Sequence, residues 1–441
     1  MDCDPTKIKR SSKKPLKKVR IKGHVIQLRP TATQESYLYR CVGTMRFTYN
    51  NLVAKWKSGD KYDRKTYQKA TSLLRQSTPW MREVSSRAAY EAADNFHLAA
   101  TNFFNSRKGT RKGSKAKPPT FKKKSKSALV VRFSHQSQFS VSGRNLKIPM
   151  LDQEILMREH IRFNGQVKSL SIKFRAGKWF ASFAVELAES PLSKIAQTQK
   201  PSVGVDFGIK VLPALSTGEV VENPTPLKKS LHLLKRRQRQ ASRKFAKGRP
   251  QSNRYKKVIA RVARIHKKVA DQRGAAQHDL TSNLVKRFGK ITIEDLAVSN
   301  MLKNRKLSRS ISDASWSTIR QQLEYKTKDA GAELVVADRW FASSKICSCC
   351  YHKLEKLSLR VRTFVCPECH TVIDRDINAA INLAAYSQKA PPIRGSFQKT
   401  DAVDLCKSPA QAVAGLSDGV NINPQPRVSA ALTCERTVVI Y

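Results

Sequence analysis

The chain has 441 residues and a mass of 49.7 kDa, enough for two to four domains with cores of their own. It carries 84 Lys and Arg against 33 Asp and Glu, a net charge of +51, beside a hydrophobic fraction of 40%. Such a surplus repels itself unless a polyanion neutralises it, so a nucleic acid is the expected partner; a duplex of about 20 base pairs holds roughly 40 phosphates, the same order as the excess. Five of the nine cysteines fall between Cys347 and Cys369, which favours metal ligation in a reducing compartment over a disulfide framework. Cys3, Cys41, Cys406 and Cys434 stand apart and read as ordinary thiols. The opening M-D-C-D-P-T-K-I-K-R has no apolar h-region and no apolar run approaches 18 residues, so a soluble, cytoplasmic protein with no membrane partner is expected.

In chain order, residues 7–22 form a basic arm with nine Lys or Arg, leading into the strand-like I-K-G-H-V-I-Q-L-R-P. From Thr31 the period becomes helical. Leu38, Cys41, Val42, Met45, Tyr49 and Leu52 make one apolar stripe, and Ala88, Ala89, Ala92, Ala93, Phe96 and Ala100 another, which predicts a helical domain at about 31–106. The aromatics Tyr49, Trp56, Phe96 and Phe104 could stack on bases, but their helical spacing favours core packing. A Gly/Pro-punctuated linker with ten Lys or Arg fills 107–126. Three period-two stretches follow, with turns at Ser142-Gly143 and Ala176-Gly177, and predict a small antiparallel β-barrel that the N-terminal strand completes.

From Ser202, V-G-V-D-F-G and the turn at Thr217-Gly218 predict a meander of three strands. Residues 228–268 hold seventeen Lys or Arg and no acid, yet Val258, Val262, Ile265 and Val269 keep an apolar stripe, so one face packs and the other meets phosphate. A strand ending in Glu294, a helix from about Trp316 to Asp329 and a strand E-L-V-V-A-D complete a β-β-β-α-β-α-β-α order, an α/β pattern. The residues after Ala390 show no clear period and are expected to be a mostly disordered tail.

Two sets of residues carry chemistry. Cys347, Cys350, Cys366 and Cys369 stand as C-x2-C-x15-C-x2-C, four thiolates in two tight turns, as a structural tetrahedral Zn²⁺ requires. Cys349 adds a fifth thiol and leaves the register between Cys349 and Cys350 open, and His370 is a competing ligand. Asp206, Glu294 and Asp376 each stand at the end or start of an element, 88 and 82 residues apart. Converged carboxylates repel unless divalent cations lie between them, and oxygen-only ligands select Mg²⁺ or Mn²⁺. A helix cap or turn role is open to Asp206, Glu294 and Asp376 taken singly, and Asp295 and Asp374 are the alternative ligands.

The order V-G-V-D-F-G, I-E-D-L, S-S-K-I-C-S-C-C, V-C-P-E-C and D-R-D-I-N-A-A-I-N-L resembles the TnpB family of transposon-encoded RNA-guided DNA endonucleases, related to compact type V CRISPR effectors. L-R-P-T-A-T-Q-E-S-Y-L, R-F-T-Y-N-N-L-V-A and K-P-P-T-F-K-K-K extend the likeness to roughly residues 20–388. The resemblance implies a multidomain α+β and α/β chain. A wedge-like β-barrel would occupy 1–30 and 120–195, a helical recognition domain with linker 31–119, and a RuvC-like, RNase H-type nuclease domain 196–345 and 372–388, with a zinc insertion at 346–371 and the tail at 389–441. It implies Asp206, Glu294 and Asp376 as catalytic magnesium ligands, the second Asp of D-R-D taking the role; Arg375 is open either to a phosphate contact or to plain surface solvation. It further implies a guide RNA from the transposon end, double-stranded target DNA beside a short motif, and a monomer on one RNA. Tyr351 and His370 depart from the family, which usually places Gly after the second and fourth zinc cysteines. The competing functions are a transposase acting without RNA, an RNA-guided repressor and a compact type V CRISPR effector.

Overall fold

A computed structural model describes residues 20–386, apart from 60–62, 125–127, 188–198, 210 and 359. Residues 7–19 of the arm expected over 7–22, and the tail expected over 389–441, lie outside the described residues, while residues 20–22 belong to the first strand. Two compact units divide the chain near residue 190.

The first unit is a seven-stranded antiparallel sheet with a helical module after its first strand. Strand β1 (Arg20–Arg29) is followed by helices α1 (Ala32–Lys57), α2 (Arg64–Ser77) and α3 (Ser86–Arg107). The chain then forms β2 (Val130–Phe133), β3 (Ser140–Ser142), β4 (Asn145–Lys147), β5 (Ile155–Met157), β6 (Gly165–Arg175) and β7 (Lys178–Leu187). The strand order is β2-β6-β7-β1-β5-β4-β3, so the N-terminal strand joins this sheet, as expected, and lies in its middle. The expected barrel does not close, because β2 and β3 remain as edges. Thr31 starts α1 through a capping box: its hydroxyl accepts from the Gln34 N–H and its own N–H is donated to the Gln34 side chain. The alanine stripe of α3 lets α1 approach closely, and Tyr49, Leu52, Val53, Tyr67 and Phe96 fill the space between the helices. Trp56 packs edge-on against Phe96, Phe103 and Phe104, so the aromatics serve the core as their spacing indicates.

The second unit opens with β8 (Ser202–Asp206), β9 (Val211–Leu215) and β10 (Val220–Glu222), then the basic helices α4 (Pro226–Lys244) and α5 (Asn253–Arg287). After β11 (Lys290–Glu294) come α6 (Val298–Met301), α7 (Ser308–Ala314), α8 (Trp316–Ala330) and β12 (Glu333–Ala337). A cysteine knuckle with the hairpin β13 (Thr363–Val365) and β14 (Val372–Asp374) leads into α9 (Arg375–Ala385). The sheet order is β10-β9-β8-β11-β12, with β8, β11 and β12 parallel and β9 and β10 antiparallel. Strands β8 and β11 are covered on both faces: Val203, Val205, Ile291 and Ile293 are buried on one, and Gly204 and Thr292 on the other. Helices α6 and α7 and the hairpin β13–β14 were not expected; each is too short to leave a period in the sequence. Among the described residues no helix is long and apolar enough to cross a membrane.

Candidate functional site

Parallel pairing places the first two acids. Val205 of β8 stands opposite Ile293 of β11, so Asp206 and Glu294 close two adjacent strands at their carboxyl ends, where open α/β sheets form ligand crevices. The third comes from α9, which lies against β8 because position 204 is glycine: a Cβ there would fall 1.9 Å from the Ala380 carbonyl oxygen. Asp206, Glu294 and Asp376 thereby line one cavity of about 240 Å³ with Arg362, Arg375 and Trp316. Burial, then the charge of Glu294, then that of Asp376, pushes the Asp206 carboxyl up to about 8, with Arg375 opposing. Burial also raises Glu294, against the Ser343 hydroxyl that donates to its carboxylate and the charge of Arg375. The three acids offer an all-oxygen donor set, of the kind that could hold a hard divalent ion.

The alternative acids have other employment. Asp374 caps α9, its carboxylate accepting from the N–H groups of Asp376 (2.8 Å) and Ile377 (3.1 Å). Asp295 is held by Arg320 and Arg339, each at 2.5 Å, and Arg320 first among them keeps its carboxyl below the usual range. Arg375 reaches the carbonyls of Ser358 (3.1 Å) and Val361 (3.4 Å), while Arg362 pairs with Asp376 at 3.5 Å.

The sulfurs of Cys347, Cys350, Cys366 and Cys369 all lie within 4.8 Å of one another, the one group of potential metal ligands so gathered among the described residues. Separations of 3.6 Å for Cys347–Cys369 and 3.4 Å for Cys350–Cys366 approach the edge of a ZnS4 tetrahedron, about 3.8 Å for Zn–S bonds near 2.3 Å. Cys350 rather than Cys349 occupies the fourth corner, and His370 stands outside the group. The two turns repeat one hydrogen-bond pattern. Cys347 donates its N–H to His352 and accepts from Tyr351; Cys366 donates to Thr371 and accepts from His370. This turn needs a left-handed residue after the second cysteine, and Tyr351 (φ 62°) and His370 (φ 57°) take that conformation without being glycine.

The sequence reading missed Ser343, Asn378 and Asn382, which join knuckle, helix and cavity. Asn378, fully buried, donates to the Ile346 carbonyl (2.7 Å) and accepts from the Ser348 N–H (2.9 Å). Asn382 donates to the carbonyls of Ser343 and Ile346, both at 2.7 Å. The signal was present as two amides four residues apart on the apolar stripe of α9, where a polar group needs a partner.

Together the fold and site define an α/β protein whose parallel strands deliver carboxylates to one cavity beside a four-thiolate centre suited to a metal. Family models match residues 182–305 (“Probable transposase”, OrfB of IS605), 316–383 (“Cas12f1-like, TNB domain”) and 20–63 (“Helix-turn-helix domain”). The last span folds here as a strand and one long helix. A protein of Streptomyces pristinaespiralis named “Putative RNA-guided DNA endonuclease” is 34% identical over 88% of this chain and 96% of its own. InsQ of Escherichia coli K12, given the same description, is 28% identical over 83% and 92%. The chain belongs to this family, the TnpB (OrfB) proteins. A solved Cas12f1–sgRNA–target DNA complex aligns with 83% of this chain and 99% of that one at 13% identity, with a TM-score of 0.32, too low to argue from.

Proposed function

We propose that the chain is an RNA-guided, divalent-metal-dependent DNA endonuclease of a transposable element, working in the cytoplasm as a monomer on one guide RNA. The second unit is then a RuvC-like, RNase H-type nuclease domain, and the guide RNA and double-stranded target are the polyanions that offset the +51 charge. One observation carries the reading: three carboxylates from three separate elements line one small cavity, where burial first, and the charges of Glu294 and Asp376 after it, push the Asp206 carboxyl up to about 8. Asp206, Glu294 and Asp376 would hold Mg²⁺ or Mn²⁺, which supplies water activation and leaving-oxygen stabilisation when bound. Arg375 and Arg362 offer guanidinium groups at the cavity wall for the scissile phosphate. The four cysteines would bind structural Zn²⁺, since four thiolates leave no open position.

The test is Asp206→Ala in the complex with its native RNA. Cleavage of matched DNA should fall by at least about 10³-fold while target binding persists. Undiminished cleavage would place the chemistry elsewhere. Strand transfer by protein and DNA alone would favour the transposase.

A further inference from the structure

We infer that the cysteine knuckle positions Glu294, through a relay in which Ser343 and Asn382 are positioning residues. The inference rests on the nuclease reading above. Ser343 is 3% exposed and opens the short turn Ser343–Lys345 just before Cys347. Its hydroxyl donates to Oε1 of Glu294, and its carbonyl accepts from Asn382, itself 4% exposed. Asn382 and Asn378 also grip the Ile346 carbonyl, and Asn378 receives the N–H of Ser348, which lies between two of the thiolates. One continuous set of hydrogen bonds thus runs from the thiolate turn to the Glu294 carboxylate and to the helix that carries Asp376. A carboxylate that accepts an oriented hydroxyl on one oxygen is fixed in rotation and presents the other oxygen to a cation. Hydrogen-bond partners that orient a metal ligand in this way typically govern affinity or activity by 10–100-fold. Cavity and knuckle therefore form one mechanical unit, which accounts for two buried asparagines on α9 that a simple packing helix would replace with leucine or alanine.

The experiment measures Mn²⁺ bound by the full-length, zinc-loaded protein with its copurified RNA, using electron paramagnetic resonance and the Asp206→Ala complex as the baseline for ions on RNA. Ser343→Ala should weaken the protein-specific Mn²⁺ site by about tenfold or more and raise the Mn²⁺ concentration for half-maximal cleavage in parallel. Zinc content and target binding should stay at wild-type levels, and Ser343→Thr should restore both Mn²⁺ readings. Asn382→Ala should shift them in the same direction, and it carries the test should Ser343→Ala not fold. Mn²⁺ affinity within about twofold of wild type in both alanine variants would overturn the relay. If Asp206→Ala still cleaves, the nuclease reading falls as well; if that variant is dead while both alanine variants bind Mn²⁺ normally, the relay alone falls.

Discussion

At the residue scale, the chemistry is a matter of crowding. The Asp206 carboxyl rises from 3.8 unfolded to about 8 folded, so between these values the folded chain holds a proton that the unfolded chain has released. Its contribution to stability is full below about pH 4 and disappears as pH rises through about 8. Asp206→Asn removes the repelling charge with little change of shape. Without Mg²⁺, its melting temperature should exceed that of wild type by a margin that grows between about pH 5 and pH 8, to at least about 2 °C. Added Mg²⁺ should narrow the gap at the upper end, and identical melting curves at every pH would contradict the crowding. A second prediction concerns His370, exposed and left-handed in a thiolate turn. A left-handed side chain costs about 1 kcal/mol, so His370→Gly should slow zinc release to a chelator several-fold. Faster release would mean that the imidazole contributes more than its backbone conformation costs.

At the element scale, the close approach of α9 to β8 brings Asp376 to the other two acids. Gly204→Ala would drive a methyl into the Ala380 carbonyl at 1.9 Å and the Ala384 amide at 2.4 Å, both backbone atoms that cannot swing aside. The variant should lose at least about 2 kcal/mol of stability and nearly all cleavage. Denaturant unfolding checks the first and a plasmid cutting assay the second; wild-type values in both would show that the helix moves freely. Much of this scale was legible in the sequence. The three-strand meander, the basic helix pair and the strand ending at Glu294 declared themselves by period and turn residues, and V-G-V-D marked a glycine beside an acid. What stayed hidden depended on tertiary register. Nothing local says that Ser343 meets Glu294, or that Asp295 turns to Arg320 and Arg339 instead of the cavity. Asp374 stood in the sequence only as an alternative ligand, and its capping role could be assigned only once the start of α9 was seen. Closure of the first sheet was overestimated because period two reports strands and not how the outermost ones end.

At the scale of the whole molecule, the charge predicts how binding responds to salt. Residues 228–268, from α4 into the first half of α5, hold seventeen basic residues and no acid. If ten or so phosphates are contacted, the logarithm of RNA affinity should fall with that of salt at a slope of about −7 or steeper. A filter-binding titration giving a slope shallower than about −3 would mean that the excess charge has another use.

The late place of α9 in the chain also bears on synthesis. Its helix, pressed against a strand made some 170 residues earlier, is the last element of the second unit to leave the ribosome among those described. At roughly 5–20 residues per second, Asp206 waits about 10 to 30 s for Asp376. Until then the sheet has an uncovered face at Gly204 and an incomplete set of acids, so a nascent or prematurely terminated chain can gather RNA on its basic helices before it can cut anything.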